Sequence, residues 1–420
     1  MKIDSYVSVS VQKWMECAVT EVLMGRLNRG SDQPNALFVG GCVRNTLLGC
    51  PITDIDIATT LTPDEVEDVF RGTSYKVKPT GLDHGTVTVT IGPNYIYEVT
   101  TLRRDVSTDG RRATVAFTKD WDEDAARRDF TMNALYMDME GNVYDPTGEG
   151  LTDLYLRVFR FIGDPLTRIQ EDSLRILRFF RFHAQYGGGD LDKKSLDACC
   201  LYKEHVKDLS RERITQELSK LLKTDNEGRG TPSTALFTYG ILSALPCIAY
   251  DPKIIYVTPG LSLTAKYLTL ANFFYPSLES MEEWLIFTND QKREMANILS
   301  AMGIMANLTP KAVKEAVYRT NTHASYQAVK LILARRGQYT VPGELNVALN
   351  FKKRKMKING DDVISAGCWP GAVIGDVLRE VEDWWIEKDF EPNRPACKEK
   401  MIEVIDRIKN NTEEGVVHGR

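Results

Sequence analysis

The sequence predicts an α+β protein: a mixed α/β module over residues 1–160, followed by helices alone to residue 420. Three observations carry this. Short segments that alternate polar and apolar residues, among them Asp54–Ala58, Thr86–Ile91 and Tyr95–Thr101, crowd the first part of the chain, and such segments suit half-buried strands. From about residue 165 the apolar residues instead recur every third or fourth position, the spacing of one helix face. Hydrophobic residues make up 43% and charged residues 26% of the chain, which supports a packed core and excludes wholesale disorder.

Residues 9–29 place Trp14, Ala18, Val22 and Leu27 on one face of a predicted helix. After the polar break Gly30–Pro34 come an apolar run, Ala36–Val39, the pair Gly40-Gly41 and a helical stretch, Val43–Leu48, which together read as strand, turn and helix. Thr62-Pro63 opens a further helix, because Thr caps well and Pro fits the first position, where an N–H has no partner. Tyr75–Lys78 adds a strand. Thr167–Tyr186 predicts one long helix, and 209–222 a second, capped by Ser210. Segments 233–245, 261–272, 279–303, 309–319, 324–335 and 361–407 continue the helical pattern, without repeats or low-complexity tracts. The pattern divides the chain at 1–160, 161–225, 226–335 and 336–420.

Lys and Arg total 53 against 58 Asp and Glu, a net charge of −5, so any nucleic-acid binding must rest on local patches. Residues 361–420 alone carry a net −6, leaving +1 for the rest. Just before them lies a basic run, Phe351-Lys-Lys-Arg-Lys-Met-Lys357, which is either a solvated surface or a contact to a phosphate backbone. No stretch approaches the ~18 apolar residues of a membrane span. The opening MKIDSYVSVSVQKW has neither the apolar core of a signal peptide nor the Arg-rich character of an organelle presequence. Eight cysteines without a CxxC pair point to reduced thiols and a cytoplasmic protein.

Asp54-Ile55-Asp56 is the centre of the chemistry. Residues two apart on a strand share a face, so both carboxylates project together while Ile55 and Ile57 turn to the core. Two carboxylates that close repel unless a cation lies between them, and Mg²⁺ takes oxygen ligands of this kind together with phosphate oxygens. Gly40-Gly41-Cys-Val-Arg44 sits just upstream at a strand-to-helix turn, where free N–H groups make an anion site. Together these describe a nucleoside triphosphate with its metals. Glu98 is the candidate third carboxylate, or else a surface glutamate. Arg127-Arg128-Asp129, with Asn133 beyond, suits phosphate oxygens and a sugar hydroxyl, or an ordinary ion pair. In Glu171-Asp172-Ser-Leu-Arg175-Ile-Leu-Arg178-Phe-Phe-Arg181, positions 172, 175, 178 and 181 form a stripe at helical spacing. Either they bridge one another on a solvated helix, or Asp172 and Arg175 face a base edge. Cytosine and adenine share an amine beside a ring acceptor, which such a pair accepts while leaving uracil and guanine with unpaired polar groups.

The ordered motifs resemble the class II tRNA nucleotidyltransferases, the CCA-adding enzymes, together with the related bacterial poly(A) polymerases. GGCVRNTLLG and DID are similar to the family's first motif, RRDFTMNAL to its ribose motif, DPTGEGLTDL to its hinge, EDSLRILRFFR to its base-selecting helix and ERITQEL to the motif after it. They span residues 36–222. The resemblance implies a polymerase-beta-like palm in a head, then a helical neck, body and tail. It implies addition of C, C and A to tRNA 3′ ends from CTP and ATP, with Mg²⁺ and no template. By position, Asp54 and Asp56 bind Mg²⁺ and activate the 3′-hydroxyl. Gly41 and Arg44 touch the nucleotide, while Arg128, Asp129 and Asn133 serve its sugar and phosphates. Asp172 and Arg175 select the base, and Arg178 and Arg181 support the triphosphate. One departure is Asn45, where the family usually has Asp, so a salt bridge ordering that turn is missing. The acidic tail disfavours poly(A) synthesis. The long Arg-bearing segment Thr100–Trp121 favours full CCA addition over CC alone, and the absence of a His-Asp dipeptide excludes a phosphohydrolase. Intact Asp54 and Asp56 argue against a retired, purely RNA-binding fold. The expected partner is the acceptor end of tRNA, with no membrane and no protein partner.

Overall fold

The computed structural model describes residues 7–81, 84–108, 113–188, 190–223, 240, 260–270, 278–367 and 371–417. The chain divides into two compact units, Met1–Ile255 with Leu270–Ile286, and Tyr256–Thr269 with Phe287–Arg420.

In the first unit, β1 (Val7–Ser8), α1 (Ala18–Leu27), β2 (Ala36–Val39), α2 (Gly41–Leu48), β3 (Ile55–Thr59) and α3 (Pro63–Phe70) lead to β4 (Lys76–Gly81), β5 (Thr86–Ile91) and β6 (Tyr95–Thr101). A hairpin, β7 (Arg103–Thr108) and β8 (Ala113–Phe117), precedes α4 (Trp121–Ala126), β9 (Tyr136–Met137) and β10 (Asn142–Tyr144). Then come α5 (Gly150–Leu156), α6 (Pro165–Glu171), α7 (Leu174–Tyr186), α8 (Lys193–Leu201) and α9 (Arg211–Lys223). Among the described residues the main sheet has eight strands in the order β1-β10-β9-β2-β3-β6-β5-β4. β3 and β6 run parallel and every other pairing is antiparallel. β2 is buried along its whole length, as its unbroken apolar run requires of a central strand. β5 and β6 bury Val87, Val89, Tyr97 and Val99 on one face and turn Thr88, Thr90 and Glu98 to the other. α3 is capped by Thr62, with Glu65 closing the capping box.

The second unit is helical: α10 (Leu263–Leu270, whose last residue belongs to the first unit), α12 (Asn289–Ile304), α13 (Pro310–Arg319), α14 (Thr322–Arg335), α15 (Gly343–Leu349), α16 (Gly360–Ser365), α17 (Ala372–Glu387) and α18 (Arg394–Val417); α11 (Leu278–Glu282) belongs to the first. One core of this unit gathers Trp385, Val377, Val381, Phe390, Met401 and Val404, with Phe351, Met356 and Ile358 packed into it. No helix among the described residues is long and apolar enough to cross a membrane.

Three expectations need correction. The helix expected over 9–29 covers only Ala18–Leu27; it buries Thr20, Leu23, Met24 and Leu27 and leaves Val22 half-exposed. The helix expected over Thr167–Tyr186 is two, because Asp172 takes an extended conformation (φ −158°, ψ 104°), and its Oδ1 accepts the Leu174 N–H at 3.1 Å to start the next helix. The stretch 279–303 is likewise two helices. The helix expected at 233–245 lies outside the described residues except for Gly240.

Candidate active site

The sheet places the acids. Asp54 immediately precedes β3, and Asp56 lies opposite Glu98 in the β3–β6 register, with Thr88 next along the same row. Asp54 and Glu98 are exposed and Asp56 half-buried. Burial, reinforced by the charges of Glu98 and Asp54 and opposed by Arg128, raises the Asp56 carboxyl to about 6. Among the described residues no group of three or more His, Cys, Asp or Glu forms a ready-made metal cluster. Two hard carboxylates on one face fit a divalent ion that takes its remaining oxygens from phosphate and water, and members of this fold family generally use divalent metals.

The Gly-Gly turn stands beside the acids. Gly40 ends β2 at φ 71°, ψ −116°, a conformation that only glycine adopts without strain, and it caps α2, whose first N–H groups are left free. Arg44 on α2 is buried. Its Nη1 donates to Asn133 Oδ1, its Nε and Nη2 donate to Asn45 Oδ1 at 3.2 and 2.9 Å, and its guanidinium lies 4.2 Å from the Tyr186 ring centroid. Asn45 in turn donates to the Pro51 carbonyl at 2.7 Å. A neutral amide therefore performs the ordering expected of a salt bridge. It accepts from Arg44 and donates to Pro51, which a carboxylate cannot do.

Carboxylates organise the arginines. Asp124, 1% exposed, accepts Arg127 Nε and Nη2 on Oδ1 at 2.8 and 2.6 Å. On Oδ2 it accepts Arg128 Nε and Nη2 at 3.1 and 2.9 Å and the Tyr136 hydroxyl at 2.7 Å. Burial pushes its carboxyl up, but Arg128, Arg127 and Tyr136 outweigh burial and hold it at about 2. Asp129 accepts the Phe130 N–H, Asn133 Nδ2, and both Nε and Nη2 of Arg178. These contacts, against burial, likewise hold it at about 2. Four bonds fill the acceptor positions of a carboxylate, so a sugar hydroxyl would displace one of them. Glu217 on α9, itself buried, receives Arg181 and lies 3.8 Å from Arg178.

The two residues of the expected base-reading pair each have a different partner. Asp172 Oδ2 accepts Arg213 Nη2 at 2.7 Å. Arg175 donates to Glu171 and, at 2.7 Å, to the Arg168 carbonyl, while Arg168 also pairs with Glu171 and donates to the Arg127 and Arg128 carbonyls. Beneath this array Phe130, Phe159, Phe161, Phe179 and Phe182 form a ring-on-ring core, and Arg181 lies over Phe182. Asp124 and Tyr136 escaped the reading of the sequence. The available signal was the spacing Asp124-Ala-Ala-Arg127-Arg128, a carboxylate one helical turn before two arginines.

A sheet that presents acids beside a glycine turn lined with arginines defines a nucleotidyltransferase. Residues 36–160 match the Poly A polymerase head domain model. The chain is 31% identical over 387 residues to the CCA-adding enzyme of Lactobacillus helveticus, covering 88% of this chain and 93% of that one. It is 33% identical over 381 residues to the CCA-adding enzyme of Ligilactobacillus salivarius, covering 83% and 87%. The crystal structure of the Bacillus stearothermophilus CCA-adding enzyme in complex with CTP superposes with a TM-score of 0.71 at 27% identity, covering 94% of this chain and 97% of that one. The chain belongs to the CCA-adding enzyme family.

Proposed function

We propose that this protein adds C, C and A to the 3′ end of tRNA from CTP and ATP, without a template and with release of pyrophosphate, in the cytoplasm. The reading is carried by the row Asp56–Glu98, beside the Gly40 turn and within the field of Arg128. The ion is Mg²⁺, held by Asp54 and Asp56; when bound, it neutralises charge developing on phosphate oxygens. Arg128 and Arg127 receive the phosphates and Arg44 braces the turn. Asp129, tied to Arg178, holds the ribose side of the site. Asp172 and Arg175 read the base edge, each aimed by its outside partner, Arg213 or Glu171. Residues 161–225 serve as the neck, and the helices of 226–335 and 336–420 as body and tail.

The test supplies Mg²⁺ and a tRNA trimmed of its last three nucleotides, with labelled triphosphates singly and in combination. Growth by three residues and then arrest supports the reading. Unlimited adenylate addition makes the protein a poly(A) polymerase, and no incorporation by folded protein overturns the assignment.

Two further outcomes are expected. Arg175→Ala loses ~10–100-fold in rate with CTP and ATP alike and admits UTP and GTP, because a wrong base no longer faces an unsatisfied fork. Normal selectivity would remove Arg175 from the role. In the second unit, Lys352, Lys353, Arg354, Lys355 and Lys357 are exposed on a loop pinned by Phe351, Met356 and Ile358. Lys353→Ala with Lys355→Ala weakens tRNA binding and flattens the log–log salt slope by about 1 to 2 if the loop contacts phosphates. An unchanged slope in filter-binding titrations would make the loop a solvated surface.

A further inference from the structure

We propose that Asp124 is a positioning residue for the incoming nucleotide, acting through Arg128. The inference rests on the reading that a triphosphate binds at the Gly40 turn, and its argument is one of direction. Asp124 grips Arg128 edge-on, by Nε and Nη2, and Tyr136 hydroxyl closes the triangle by accepting from Arg128 Nε at 3.2 Å while donating to Asp124 at 2.7 Å. The remaining nitrogen, Nη1, points at the glycine turn, 3.7 Å from where a Cβ on Gly40 would sit. The guanidinium is planar, so fixing two of its nitrogens fixes the third. Arg127 is held by the same edge on the other oxygen of Asp124. One buried carboxylate therefore serves two cations and leaves the cluster with a surplus positive charge, the electrostatic condition for receiving an anion.

A carboxylate that only supported the fold would have no reason to change triphosphate affinity selectively. In the full-length protein, Asp124→Asn keeps the shape but turns one arginine toward an amide that cannot accept from it. The KM for CTP and the KM for ATP are expected to rise together by about tenfold or more, the worth of one charge-assisted bond left unaimed. The inhibition constant of inorganic tripolyphosphate, a probe with no base or sugar, rises by the same factor, and the KM for tRNA stays within about twofold of wild type. Tyr136→Phe removes one corner of the triangle and shifts the same constants in the same direction by a smaller factor. Wild-type incorporation in the same assay tests the underlying reading separately. A folded Asp124→Asn protein with wild-type affinity for both triphosphates and tripolyphosphate overturns the proposal. If Asp124→Asn does not fold, unchanged constants in Tyr136→Phe overturn it.

Discussion

Asp56→Asn is expected to abolish nucleotidyl transfer, by roughly 10³-fold or more, and at the same time to raise the thermal stability of the metal-free protein. Both effects follow from one feature. Asp56 lies partly buried between like charges on Glu98 and Asp54, and its carboxyl titrates at about 6 instead of 3.8. An acid whose folded pKa exceeds its unfolded value destabilises the fold at any pH above the unfolded one; the penalty grows between about pH 4 and pH 6 and is constant beyond. The full shift corresponds to at most ~3 kcal/mol, and solvent screening of a half-buried group reduces this to ~1–2 kcal/mol. Removing the charge with an isosteric amide should therefore raise Tm by about 1–4 °C at pH 8 in chelator. The gain should shrink to a small fraction at pH 4, where the folded-state carboxyl is protonated and the unfolded one about half so, and vanish at lower pH. Thermal unfolding of both proteins at pH 4 and pH 8 checks this. A lower Tm for Asp56→Asn at pH 8 would mean that Asp56 is paired within the protein rather than waiting for a cation.

How far the sequence already showed this site varies with the physics of each part. The strands Ala36–Val39, Thr86–Ile91 and Tyr95–Thr101 occupy the residues expected of them, because an unbroken apolar run records burial on both faces and alternation records burial on one. The juxtaposition of Asp56 and Glu98 needed the parallel pairing of β3 with β6, a long-range register that no local pattern encodes; only the parity of Glu98 on its strand was available. The hairpin β7–β8 was legible only as a long Arg-bearing segment, since its strands pair with each other outside the main sheet. The break at Asp172 was hidden for a different reason. The i,i+3 stripe starts at Asp172 itself and so read as part of one helix, whereas the residue turns extended, caps the next helix through Oδ1 and bonds Arg213, forty-one residues away, through Oδ2. In the same way, the i,i+3 spacing of Arg178 and Arg181 was visible, while their pairing with Asp129 and Glu217, 49 and 36 residues away, emerges only from the packing.

Asp129→Ala should do the opposite of Asp56→Asn in the same site: it should destabilise the fold by ~2–3 kcal/mol as well as impair transfer, because truncating one partner of a largely desolvated ion pair strands the other. Asp129 is half-buried, its side chain 10% exposed; it receives Arg178 through two nitrogens, and its carboxyl is held at about 2 against a reference of 3.8. Here the folded pKa is the lower one, so its contribution is complete above about pH 5 and is lost as pH falls toward 2. Arg178 keeps Glu217 at 3.8 Å, which limits the loss, and Asn133 and the Phe130 N–H each lose an acceptor. Urea unfolding of Asp129→Ala, Arg178→Ala and the double variant, as a cycle, should give a coupling energy of about 2 kcal/mol at pH 7, larger than the 0–1 kcal/mol of an exposed pair. That coupling should shrink toward pH 3. A pH-independent coupling, or one below about 0.5 kcal/mol, would show that Asp129 is held by its backbone and amide contacts and that Arg178 is free to serve the triphosphate directly. The contrast between the two aspartates has a single cause. Asp129 meets its cation within the fold, whereas Asp56 faces two other acids and gains its neutralising charge only when metal and nucleotide arrive.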